Sequence, residues 1–284
     1  MMPKVGIIGG SGLYQIDALK DIKEVAVNTP FGEPSDNFII GSLGGVEVAF
    51  LARHKRGHTI LPTEINYRAN IYAMKKLGVG QLVSISAVGS FKKELKPLDI
   101  VLPDQFVDRT NQGRKTTFFG EGIVAHVSFS EPVCSDLRKI ICDTGKRSGI
   151  RMHDKGVYLN MEGPAFSTKA ESHLYKSWGM DIIGMTNMPE ARLAREAEMC
   201  FATIALVTDY DCWYEEEVNI EMVIGNLLKN VDAAKKLIKE VVPQLKHERK
   251  CACQSALKYA IVTDKKLIPE KTKEKLDIII GKYL

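Results

Sequence analysis

The chain of 284 residues reads as an α/β protein carrying a mostly parallel or mixed sheet. Three observations predict this. Short apolar runs alternate with stretches of helical period. The composition is ordinary for a globular domain, with 45 % hydrophobic and 26 % charged residues, enough apolar surface to offset the entropy of ordering. Neither an internal repeat nor a linker interrupts the pattern, so one domain is expected over about 1–250, with a helical tail over 251–284 packed on it.

Val5–Ile8 opens the series as a first strand, with one charge and early glycines around it rather than the long apolar core of a signal peptide. Phe38–Gly41 and Val46–Leu51 follow as strands, then a helix over Glu64–Leu77. Ile65, Ala69, Tyr72, Ala73 and Leu77 share one face of it, and Gly78 stops it. Strands Gln81–Ala87 and Ile100–Pro103 come next, then a helix over Val133–Ser148 closed by Gly149. After a strand at Val157–Met161, Thr168 and Glu171 have capping-box spacing and open a helix that reaches Trp178. Strands Ile182–Met185 and Cys200–Thr208 precede a long amphipathic helix over Asn219–Leu245.

Lys and Arg total 39 against 35 Asp and Glu, a net charge of +4, too mild for a nucleic-acid-binding surface. No run approaches the roughly 18 apolar residues of a membrane span, and the expected location is the cytoplasm. None of the six cysteines forms a Cys-x-x-Cys pair, so the common zinc-ribbon spacing is missing and no metal is expected. Cys134, Cys142 and Cys200 lie in apolar surroundings and read as core thiols. Cys251 and Cys253 follow a charged stretch and read as accessible, either as two surface thiols or as a disulfide.

Six segments are candidates for chemistry. Gly6–Gly12 follows the first strand; it fits either a tight turn or a cradle where glycines and Ser11 meet an anion, and it matches neither the dinucleotide fingerprint nor the P-loop. Arg53 and His54 begin a basic run past a strand end, either a solvated face or a donor pair for an oxyanion, at the place where α/β sheets bind ligands. Ser84–Ser90 runs from apolar strand into small residues that expose backbone N–H groups. Met161–Ser167 and Gly184–Glu190 each lead into a helix entry, where Ser167 and Thr186 serve as caps or as ligand contacts. Last, Asp209 and Asp211 stand two residues apart at the end of a long apolar strand. Either they are solvated caps, or desolvation and mutual repulsion raise one pKa and keep a proton available near neutrality.

Taken in order, GIIGGSG, ARHKRGHT, NYRANIYAMK, SAVGS, DQFVDRT, EGPAFSTKAES, MTNMPEA and TDYDCW resemble the trimeric purine nucleoside phosphorylase family, in its methylthioadenosine-cleaving branch. The resemblance runs from about Val5 to about Leu245. It implies a central mixed sheet, distorted and barrel-like, flanked by helices. It also implies reversible phosphorolysis of 5′-methylthioadenosine to adenine and 5-methylthioribose 1-phosphate, with inorganic phosphate as co-substrate and no metal or organic cofactor.

By that resemblance Ser11, Arg53, His54, Ser86, Ala87 and Thr186 hold phosphate, as a dianion needs a cation and several N–H and O–H donors. Met185 meets the ribose, and Phe166 and Ser167 the purine. Asp209 and Asp211, with His54 the catalytic set, stand at the purine edge, where carboxylates suit the 6-amino group and a protonated N7. Ile220, Val223 and Leu227 offer an apolar wall at helical spacing for a 5′-methylthio group, or plain core packing. His126 aligns with a residue that reaches into a neighbouring subunit's site, which implies a homotrimer; the tail either covers the mouth or joins trimers into hexamers. Ala165 and Gly184 depart from the family's usual Arg and Asn. Wider purine tolerance and a non-catalytic nucleoside-binding protein are the alternatives.

Overall fold

The computed structural model describes residues 4–10, 13, 15–214, 220–246 and 249–284, without the side chains of Ile220 and Lys246. Its strands are β1 (Val5–Gly9), β2 (Lys20–Val25), β3 (Phe38–Leu43), β4 (Val46–Ala52), β5 (Gln81–Ser90), β6 (Ile100–Val101), β7 (Gln105–Arg109), β8 (Met152–His153), β9 (Val157–Met161), β10 (Ile182–Gly184) and β11 (Cys200–Asp209). Its helices are α1 (Tyr67–Lys76), α2 (Ser135–Arg147), α3 (Lys169–Ser177), α4 (Asn187–Glu196), α5 (Ile220–Val241) and α6 (Glu270–Ile280).

All strands belong to one mixed sheet that branches at β5. The first half of β5 pairs in parallel with β1, from Val5 opposite Gln81 to Ile8 opposite Ser84. Its far end, Gly89–Ser90, pairs on that same side with the antiparallel β10. Its other edge carries β11 in parallel along nearly its whole length, from Cys200 opposite Gln81 to Asp209 opposite Gly89. Both β5 and β11 are buried on both faces along nearly their whole length, which is why neither shows a strict alternation of apolar and polar residues.

Alternate side chains of β1 serve opposite cores, as strand geometry requires. Ile7 joins Val83, Ile204 and, from α2 and α5, Leu137, Ile141 and Leu237. Ile8 joins Leu51, Leu82, Phe201 and the inner faces of α1, α4 and α6. Leu257, Ala260, Ile268, Leu276 and Ile280 of the tail are buried in that second cluster.

Several elements differ from the sequence reading for local reasons. The first helix begins at Tyr67, not Glu64, because the Asn66 side chain caps it by accepting from the Ala69 N–H. The helix after Thr168 has both halves of the expected capping box. The long helix gives way after Val241 to a 3-10 turn over Val242–Lys246 that contains Pro243; Asn219, its expected start, lies outside the described residues. Strand β2 is an exposed edge with a polar sequence, and β7 and β8 are short and half-buried, so none carries an apolar signal. Cys134, Cys142 and Cys200 are buried thiols, and all six cysteines are free. Cys253, expected to be accessible, is buried (6 % exposed), because the chain after the charged stretch folds back onto the start of β11.

Candidate active site

Strands β1, β4, β5 and β11 run parallel to one another, so their carboxyl ends meet. A cavity of about 340 Å³ opens there. It is lined by Gly10 after β1; Arg53 and His54 after β4; Ser86 to Gly89 of β5; and Thr208, Asp209 and Asp211 at the end of β11. Phe166, Met185, Thr186, Val223 and Leu227 complete it among the expected residues. Ser167 is buried beside it, with its hydroxyl 3.7 Å from Met161 Sδ. His126 is exposed and does not line this chain's cavity; its N–H donates to the Ala260 carbonyl of the tail. Ser11, and the Ile220 side chain, lie outside what the structure describes.

The acidic end is buried. Asp209 and Asp211 are 7 % and 5 % exposed. Asp209 Oδ2 accepts from the Thr208 hydroxyl at 2.7 Å, and Oδ1 from the Asp211 N–H at 2.8 Å. Burial pushes the Asp209 carboxyl above its ordinary pKa despite those donors. Asp211 is also raised, chiefly by burial and to a lesser degree by the charge of Asp209, while the Ser172 hydroxyl donates to its Oδ2. Desolvation therefore outweighs the mutual repulsion expected from spacing. Gly89 faces the pair: a Cβ there would lie 2.9 Å from Asp209 Oδ1. The wall above is α5, fastened to β11 by Asn226, whose side-chain amide donates to the Thr208 carbonyl, and Asn230, which donates to the Val207 carbonyl. That places Val223 and Leu227, one turn apart, against the cavity.

At the opposite end, the Arg53 N–H donates to the Gly9 carbonyl at 2.9 Å, tying the ends of β1 and β4 together. The Arg53 guanidinium is buried and engaged. Its Nε donates to Glu190 at 2.5 Å, Nη1 to the Ile85 carbonyl at 2.9 Å, and Nη2 to Ser84 Oγ at 2.6 Å. Burial opposes the charge most strongly, but the attraction and hydrogen bond of Glu190, 1 % exposed, together with lesser contributions from Tyr67 and Tyr158, leave the guanidinium pKa raised. A ligand therefore meets an arginine largely committed to the protein, not a free cation. His54 Nδ1 lies 2.9 Å from the Ile60 carbonyl, so a neutral ring donates there and leaves Nε2 bare. Burial first, and Arg53 second, hold its pKa down at about 4. Left-handed backbone at Lys55, Gly57 and His58 turns the loop back and stacks the His58 ring on His54, centroids 4.4 Å apart. His58, given no role by sequence, is thereby brought to the cavity.

Thr186 is the N-cap of α4, makes no side-chain capping bond and lines the cavity, so the helix's amino end lies at the cavity wall. Arg114 secures the neighbouring backbone, donating to the Met185 carbonyl at 2.5 Å and the Glu162 carbonyl at 2.6 Å, with an ion pair to the Glu162 carboxylate at 2.6 Å. Gly184 is needed here for space: a Cβ would lie 1.9 Å from the Tyr158 hydroxyl, which sits 3.0 Å from Ser86 Oγ. The tyrosine thus occupies the room that an asparagine side chain would need at that position.

Residues 4–243 match the family model described as the phosphorylase superfamily. The chain belongs to that superfamily. Among superfamily members, the S-methyl-5′-thioadenosine phosphorylase of Geobacter sulfurreducens is 55 % identical over 99 % of each chain. The crystal structure of a methylthioadenosine phosphorylase from an antarctic soil metagenomic library is 49 % identical, with a TM-score of 0.94 over 98 % of this chain and 99 % of that one. The methylthioadenosine phosphorylase of Schistosoma mansoni, in complex with adenine, is 36 % identical, with a TM-score of 0.86 over 91 % and 98 %. The mixed sheet and flanking helices are the superfamily's nucleoside phosphorylase fold.

Sequence reasoning missed Glu190, Ser84 as its hydroxyl donor, Arg114 and Tyr158. Arg53 and Glu190 are 137 positions apart, and no local pattern pairs them. A charged residue at the fourth position of a helix, Glu190 in Asn187-Met188-Pro189-Glu190, looks like an ordinary first-turn acid.

Proposed function

We infer that this chain catalyses phosphorolysis of 5′-methylthioadenosine, giving adenine and 5-methylthioribose 1-phosphate. One observation carries the reading. A single cavity holds a buried acid pair, its pKa values raised by burial, at one end and a cluster of anion donors at the other, with an apolar wall beside them. The relatives named above point the same way.

In this reading phosphate lies against Ser86, Ala87, Thr186 and His54, near Arg53. Because Nε2 of His54 is bare, the pair shares a proton: either the ring accepts one from a phosphate O–H, or it takes one up as the dianion binds. The C1′–N9 bond breaks with its electrons leaving on the purine, and a phosphate oxygen forms the new bond to C1′. Asp209 supplies a proton to N7, so adenine leaves neutral. Asp211 holds the exocyclic amine, Met185 the ribose, Phe166 and Ser167 the base, and Val223 and Leu227 the methylthio group. Ser11 and Ile220 belong to the same phosphate and 5′ sets. No organic cofactor takes part and no metal acts at the reacting atoms. Partners are the small-molecule nucleoside and phosphate, with no role for nucleic acid; no described helix is long and apolar enough to cross a membrane.

The products suit purine and methionine salvage, and the cytoplasm is the location we propose for it. A homotrimer, or two paired trimers, brings the exposed His126 of one copy to a neighbour's site. Wider purine tolerance is the second reading, favoured by Tyr158 standing where a purine-reading amide would sit. The test is adenine release from methylthioadenosine by the purified protein, with and without phosphate. Release only with phosphate is expected. Release without it would make the chain a hydrolase, and none in either case a binding protein.

A further inference from the structure

Away from the nucleoside cavity, four sulfurs converge. Cys134 caps α2, Cys200 opens β11, and Cys251 and Cys253 flank the start of the tail's first 3-10 turn. Their Sγ atoms all lie within 4.8 Å of one another. Cys134, Cys200 and Cys253 are 3 %, 1 % and 6 % exposed, and Cys251 is half-buried. We propose that these four cysteines form a structural tetrathiolate site for zinc that fastens the tail to the sheet.

A zinc ion bonded to four thiolates at about 2.3 Å sets its sulfurs about 3.8 Å apart along each tetrahedral edge. The Cys200–Cys251 separation of 3.2 Å is below that edge and every other separation is within 4.8 Å, so the four sulfurs are already gathered on the scale of such a shell. A disulfide needs about 2.05 Å, and no pair is bonded. The donors are all sulfur, a set that disfavours magnesium and calcium and suits zinc, which needs no redox partner. The four thiols come from three distant parts of the chain, which the fold brings to one spot.

The surroundings suit the ion's chemistry. Zinc displaces four protons, one from each thiol, and the centre keeps a net charge of −2 with no change in oxidation state. Cys134 is the N-cap residue of α2, so the positive end of the helix dipole lies at the site and suits an anionic thiolate ligand. Arg249 lies alongside, donating to the Gly80 and Glu198 carbonyls and holding the approach to Cys251 against the sheet. A cavity of about 390 Å³, lined by Cys134, Cys200, Cys251, Arg249 and Lys250, connects the sulfurs to solvent and offers the ion an entry path. The expectation of no metal follows from the missing Cys-x-x-Cys spacing; here the ligand set is completed across the fold.

The site is independent of the proposed reaction, since none of the four cysteines lines the nucleoside cavity. The full chain, purified under reducing conditions without chelator, is expected to carry about one zinc per chain by elemental analysis and native mass spectrometry. Cobalt added to the metal-free protein should give the sulfur-to-cobalt charge-transfer absorption and the visible bands of a tetrahedral thiolate complex. Stripping zinc should lower the unfolding midpoint by at least about 5 °C while adenine release at low temperature persists. Cys251→Ser with Cys253→Ser should lose the metal, and Cys142→Ser should keep it. If the serine variant fails to fold, the metal content of the native chain still decides. Two disulfides by mass with no zinc, or six free thiols with no tetrahedral cobalt spectrum, would overturn the proposal.

Discussion

Asp209→Asn separates chemistry from folding. The carboxylate accepts from the Thr208 hydroxyl and the Asp211 N–H. An asparagine satisfies both contacts: its oxygen takes the Asp211 N–H, and its amide donates to Thr208, which turns its own proton toward the Val88 carbonyl 3.2 Å away. Volume and hydrogen bonds are conserved, so unfolding should shift by less than about 1 kcal/mol. What is lost is the proton for N7. Losing a positioned general acid costs roughly 10²- to 10⁴-fold, or about 3–5 kcal/mol of transition-state stabilisation. The assay is kcat/KM for methylthioadenosine at saturating phosphate across pH. The native enzyme should lose activity as rising pH ionises Asp209, whose burial sets that limb above the ordinary carboxylate range; in the variant the limb should vanish. A variant within about threefold of native, with the limb intact, would refute proton donation by Asp209.

Arg53→Ala should act first on stability. It leaves Glu190 buried without its partner, at a cost of about 3–5 kcal/mol, so calorimetry should find the midpoint lower by on the order of 10 °C; an unchanged midpoint would mean the pair is not structural. Val223→His should raise kcat/KM for adenosine relative to methylthioadenosine by about tenfold, since it offers a polar group to a 5′-hydroxyl, and parallel shifts would remove Val223 from the 5′ wall. Burial pushes the Glu196 carboxyl up to about 7 from an ordinary 4.5, against donors at Phe118 and Thr117. Its contribution to stability is fully present below pH 4.5 and is lost as pH rises to about 7, some 3 kcal/mol in all. Glu196→Gln should flatten that window in denaturant titrations, and identical pH dependence would show the carboxyl titrates normally.

Much of the site is legible as motifs because each lies at a strand end. An apolar run that stops at Gly-Gly, Arg-His, Ser-Ala or Asp-x-Asp marks where a strand leaves the core. The acid pair can be suspected from spacing, but its perturbation comes from enclosure by β5, α3 and α5, so desolvation contributes more to it than repulsion does. The motif places Arg53 correctly at the cavity but describes it incompletely as a cation, since the Glu190 that balances it arrives on another helix. The edge strand β2 is invisible in the sequence because an exposed strand bears no apolar period.

By itself the sequence determined the buried strands and the amphipathic helices to within a few residues of their ends, and which residue types stand at those ends, because burial periodicity and capping act within a few positions of the chain. Only the tertiary structure decided which stops meet. The pairing of β11 with β5 puts Asp209 beside Gly89, the turn after β4 stacks His58 on His54, and the returning tail carries Cys251 and Cys253 to Cys134 and Cys200. All but the histidine stack join residues tens to more than a hundred positions apart, and the strength of such contacts depends on the water they exclude, which no local stretch of sequence specifies.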